Sequence, residues 1–98
     1  MSASPKQEGE AALAALEKAL SLQPERDGHA FSETTEHLCA MRDLMIAACR
    51  GGGGDQGKLE RLNAIISSAL AGHFPLGNTP WREVETARDA LRALVNEV

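Results

Sequence analysis

The sequence predicts an all-α protein, a compact antiparallel four-helix bundle with up-down-up-down connections. Leu and Ala recur at spacings of three and four residues in four segments, which is the period of an amphipathic helix. Short stretches rich in Gly, Pro and polar residues separate these segments. We predict helices over residues 5–22, 32–50, 58–71 and 80–97. A chain of 98 residues has room for one such domain, spanning 1–98.

The first helix begins with a recognisable capping pattern. Ser4 is a good N-cap, Pro5 suits the first helical position, and Gln7 stands where a capping box places Glu or Gln. Gly9 weakens the first turns, and Pro24 ends the helix because it forces the preceding residue out of helical geometry. We expect residues 1–4 to be disordered. The apolar stripe consists of Leu13, Leu16 and Leu20, with Ala12 and Ala19 beside them.

The second helix follows a polar linker at 24–30 and is the most apolar of the four. Ser32 is the predicted N-cap, and Arg50 near the end complements the helix dipole. The stretch 51–57 contains five glycines and is predicted to be a flexible loop. The stripe consists of Leu38, Met41, Met45 and Ala48, widened by Leu44, Ile46 and the two cysteines.

The third and fourth helices have equally regular stripes. Gly72 is placed to end the third helix in a left-handed cap, and Thr79 followed by Pro80 repeats the cap-then-proline start of the first helix. The inward residues predicted for the third helix are Leu59, Leu62, Ile66, Ala69 and Leu70. Those predicted for the fourth are Trp81, Val84, Ala87, Leu91, Leu94 and Val98.

Composition narrows the possible functions. The chain has sixteen Ala and twelve Leu but three aromatic residues, so the core should be thin and self-association is a natural supplement. A net charge of −4 without a basic cluster argues against nucleic acid as a partner. The sequence shows no signal peptide and no membrane-spanning stretch, so we expect a cytoplasmic protein that does not bind membranes. Cys39 and Cys49 lie about 15 Å apart on one predicted helix, too far to form a disulfide.

The sequence contains no complete catalytic motif. Gly52 to Leu59 resembles a phosphate-binding loop in its glycines and in Lys58, but Leu59 replaces the hydroxyl residue that would hold Mg²⁺. A long helix, rather than a strand, precedes this stretch. The cysteines lie in an apolar helix, where burial raises the pKa of a thiol and makes it unreactive. We therefore predict no cofactor and no enzymatic activity.

Metal binding is a weaker alternative. Glu33 and His37 stand at i,i+4 and could present one helical face to an ion, with His29 and His73 joining from the loops. The alternative interpretation is that both side chains are solvated on the helix surface and bind no ion. No closely spaced ligand motif strengthens the metal hypothesis.

The up-down-up-down topology predicts that one end of the bundle collects the aromatic side chains and all three histidines. Phe31, Phe74, Leu76 and Trp81 would share this end with Arg82. The simpler interpretation is that they plug the open end of the bundle. The functional one is a protein-interaction surface, because Trp, Phe and Arg are frequent interface anchors.

The sequence-based hypothesis is a non-enzymatic helical protein-interaction module, adaptor or chaperone-like. Its partner would be another protein or a second copy of the chain, and in the second case the protein would form a homodimer. The alternative hypothesis is a helical bundle that binds a small ligand or a metal at the histidine and aromatic end.

Overall fold

The structure is a computed structural model that describes residues 4–21, 28–73 and 80–98, apart from the side chains of 28–30, 72 and 73. It has four α-helices: α1 at Pro5–Ser21, α2 at Gly28–Arg50, α3 at Gln56–His73 and α4 at Trp81–Glu97. No strand occurs in the described ranges. The all-α prediction is confirmed, and the limits of the helices differ from the predicted ones in ways that have identifiable causes. Residues 1–3, which were predicted to be disordered, lie outside the described part of the chain.

The predicted capping box at the start of α1 is confirmed. The backbone N–H of Gln7 donates to Ser4 Oγ at 3.1 Å, and the backbone N–H of Ser4 donates to Gln7 Oε1 at 3.0 Å. These two bonds satisfy donors that the first turn of a helix leaves without partners. Ser4 and Gln7 therefore fix the point at which the chain becomes helical.

The predicted start of α2 is wrong by four residues. The helix begins at Gly28, so Ser32 lies inside it and is not its N-cap. Phe31 sits in the first turn and its side chain is completely buried. Burial of a large side chain stabilises a helical turn more than local propensity does, which explains why a stretch with linker composition is helical.

The glycine run after α2 forms a defined C-cap. Gly52 has a φ of 84°, a left-handed conformation that glycine adopts without strain. The N–H of Gly53 donates to the Ala48 carbonyl at 3.0 Å, and the N–H of Gly52 donates to the Cys49 carbonyl at 3.1 Å. This pair of bonds is a Schellman motif, with Gly52 at the C′ position.

Helix α3 is longer than predicted at both ends. Asp55 is its N-cap, because the carboxylate Oδ1 accepts from the backbone N–H of Lys58 at 3.2 Å. This cap starts the helix at Gln56, two residues before the predicted start. At the other end α3 continues to His73, so Gly72 lies within the helix and the predicted left-handed cap at Gly72 is wrong.

Helix α4 starts one residue later than predicted. Pro80 is the N-cap residue, with φ −79° and ψ 73°, and its carbonyl accepts from the N–H of Val84 at 3.1 Å. A proline has no side-chain acceptor with which to cap a helix, so the first turn has no such bond. Thr79, the predicted cap, lies outside the described residues.

The four helices pack in a ring in which α1 contacts α2, α2 contacts α3, α3 contacts α4, and α4 returns to α1. The diagonal pairs make no comparable contact among the described residues. Arg92 and Glu17 join α4 to α1 on the surface through a bond of 3.0 Å. Short connections make successive helices antiparallel, which gives the predicted up-down-up-down bundle.

The core contains most of the predicted stripes, with a few exchanges. Leu70 was predicted to face inward but is 40% exposed, and Ala48 is also exposed. Ile65 and Val95 are buried although the stripes did not include them. Every helix buries an arc toward two neighbours rather than a single line, so the buried face does not follow the predicted stripe at every position. The buried members of the core cluster are Ala12, Leu16, Ala19, Phe31, Leu38, Met41, Met45, Leu59, Leu62, Ile65, Ile66, Ala69, Val84, Ala87, Leu91, Leu94 and Val95.

Gly9 is a packing position. It is buried, and a Cβ placed on it would lie 2.8 Å from Val95 Cγ2 and 3.2 Å from Met41 Cε. The missing side chain lets α1 approach both α4 and α2 closely.

Among the described helices, none combines the length and the hydropathy that a bilayer-spanning segment requires.

Candidate interaction surface

The predicted aromatic end is formed in part by residues that the structure describes. The rings of Phe31 and Trp81 lie 5.9 Å apart, centroid to centroid, and are tilted by 36°. Phe31 is wholly buried and Trp81 half-buried, while Arg82 is exposed. Phe74 and Leu76 lie outside the described residues. Within the described part, the Phe31–Trp81 contact joins the starts of α2 and α4 as a piece of the core.

His37 lies near the middle of α2 and contacts α1. Its Nδ1 is 2.7 Å from Oε2 of Glu8, in the first turn of α1, at the end remote from the first loop. Glu33, which was predicted to bind a metal ion together with His37, is exposed. The side chains of His29 and His73 lie outside the described part. His37 therefore links α1 to α2, and its place at the aromatic end stays a prediction.

Side chains able to bind a metal or act as nucleophiles are scattered over the described residues. No group of three or more His, Cys, Asp or Glu is close enough there to hold an ion. Cys39 and Cys49 are free thiols, both half-buried on α2. Cys49 packs against the core cluster.

A cleft of 180 Å³ lies at the end of the bundle where the two termini meet. Lys58 is at its edge, with Nζ 3.9 Å from Asp55 Oδ2 and 3.1 Å from the Glu97 carbonyl oxygen. The ammonium group thus already has acceptors from its own chain. The cleft is lined by Pro5, Met45, Ala48, Gly53, Gly54, Asp55, Lys58 and Val98.

A larger groove of 240 Å³ runs between α3 and α4 on the outside of the bundle. Its floor is apolar, because the Ile65 and Ala87 side chains there are buried. Its walls carry small side chains, most of them exposed, and the hydroxyl of Thr86 donates to the Arg82 carbonyl of its own helix at 3.0 Å. The lining residues are Arg61, Ala64, Ile65, Ser68, Thr86, Ala87 and Ala90.

One end of this groove carries a bidentate ion pair. Arg61 Nη1 and Nη2 donate to Glu97 Oε1 and Oε2 at 2.8 and 2.7 Å. Both side chains remain 43% and 47% exposed. The hydrogen bond with Arg61 lowers the pKa of Glu97, and the same bond raises the pKa of Arg61. The pair joins α3 to α4 at the end of the groove that Arg61 lines.

The shape of the groove suits a helix better than a small molecule. Arg61 to Ser68 cover about 10 Å of helix rise, two turns along α3. Small wall residues let a third helix come close to α3 and α4, and the floor offers apolar contact. A catalytic site, by contrast, needs polar groups converging in a cleft that excludes water.

Sequence reasoning did not identify this groove. The signal was available, since Ala64 and Ser68 on α3, and Thr86 and Ala90 on α4, are small residues spaced four apart outside the predicted stripes. Exposed alanines in helices are common, however, and the sequence alone does not show that these two pairs lie side by side.

Comparison of the chain with protein-family models, with curated proteins and with solved structures found no match.

Proposed function

We propose that this protein is a non-enzymatic helical interaction module, adaptor or chaperone-like, which binds a helix of a protein partner in the groove between α3 and α4. The observation that carries the proposal is the groove itself, with a buried apolar floor and exposed small walls. A surface of this kind leaves apolar area in water until a partner covers it.

The groove is preferred to the aromatic end as the contact surface. Phe31 is fully buried, so an interface there would gain little from it. Ala64 and Ala90 are exposed, and a helix laid between them would remove both, with part of the floor, from water. Hydrophobic contact along about two turns, repeated at i, i+3, i+4 and i+7, is the usual way in which a groove recognises a helix.

The two free cysteines also guide the choice of conditions. Unpaired thiols fit a reducing compartment, so we place the interaction in the cytoplasm and test it with thiols kept reduced.

Photo-cross-linking tests the proposal. A photoreactive amino acid replaces Ala90 in the groove or, as the matched control, Ala14, an exposed alanine on α1. Ala14 is not among the residues that line the groove. We expect protein adducts after irradiation in the source cells from position 90 and not from position 14.

A second measurement distinguishes specific binding from non-specific cross-linking. The cross-linked protein is purified and titrated against the wild type, Ala90→Glu and Ala14→Glu by calorimetry. We expect Ala90→Glu to weaken binding at least about tenfold, because a carboxylate enters the apolar contact, and Ala14→Glu to leave it unchanged. Equal yields from both positions, or equal affinities of both variants, would refute the groove as a binding surface.

A further inference from the structure

We draw no further inference here: the strongest candidate, the cleft at the end of the bundle lined by Pro5, Lys58 and Val98, carries none because the Lys58 ammonium group already contacts Asp55 and Glu97 of its own chain and nothing in the described residues shows what would cover it.

Discussion

Replacing Gly9 by alanine tests how tightly α1 packs on its neighbours. A Cβ at this position would lie 2.8 Å from Val95 Cγ2 and 3.2 Å from Met41 Cε and Sδ. The first distance is shorter than van der Waals contact allows, so atoms must move. The end of the Met41 side chain is flexible and can shift at low cost. Val95 is β-branched and has few alternative rotamers, so the contact between α1 and α4 must open instead.

Two opposing effects decide the magnitude. Alanine within a helix is favoured over glycine by about 1 kcal/mol. Adding a methyl group to a packed core costs about 1–3 kcal/mol when the surroundings cannot yield. With Met41 yielding and Val95 resisting, we expect Gly9→Ala to lower the free energy of unfolding by about 1 kcal/mol.

Urea unfolding measures this change, with the fluorescence of Trp81, the single tryptophan, and circular dichroism as probes. Val95→Ala is the partner mutation, because it removes the crowding methyl group. In that background Gly9→Ala should become stabilising by about 1 kcal/mol, which gives a large coupling energy in the double-mutant cycle. If Gly9→Ala stabilises the wild-type chain as helix propensity alone predicts, the close approach of α1 to α4 is refuted.

Three further predictions follow from contacts in the structure. Gly54→Ala should destabilise the protein by more than about 1 kcal/mol, since its Cβ would lie 2.5 Å from a backbone nitrogen of α2; Gly53→Ala, with open space around it, is the matched control in the same melting assay. Glu8→Gln and His37→Gln should show a coupling of about 0.5–1 kcal/mol in a double-mutant cycle, and additive effects would mean that the bond across α1 and α2 contributes nothing. The pKa of Glu97 is lowered in the folded state, so its ion pair with Arg61 stabilises the fold at pH values above the ordinary glutamate pKa of 4.5 and loses this effect as the pH falls through the lowered pKa. The difference in the free energy of unfolding between the wild type and Glu97→Gln should therefore shrink from pH 7 to pH 3.

The sequence contains enough local information to predict the bundle, because helix period, capping residues and glycine or proline breaks are properties of neighbouring residues. The Ser4 cap and the four stripes are of this kind. The start of α2 is different, since it depends on Phe31 finding a place in the core formed by the other helices. The Asp55 cap was not predicted, although an aspartate before a helix is a normal N-cap signal, because the glycines on both sides of it are typical of a flexible loop.

The candidate surface could not be predicted in the same way. The groove requires α3 and α4 to be adjacent and in a particular register, and the Arg61–Glu97 pair spans 36 positions in the sequence. A helical stripe indicates which face is buried but not which exposed faces meet at a groove. Likewise, the contact of His37 with Glu8 joins residues 29 positions apart, so helical periodicity alone does not predict it.

The abundance of alanine connects the stability of this protein to its proposed binding. A core in which Ala12, Ala19, Ala69 and Ala87 occupy buried positions lets the helices approach closely but buries little area for each residue. The same small side chains on the outer faces of α3 and α4 leave the space between those helices unfilled. Covering that groove would therefore add apolar burial that the isolated bundle lacks, and a partner that binds only the folded chain stabilises it by mass action. Binding and folding are coupled in such a bundle because both depend on the same shortage of large side chains.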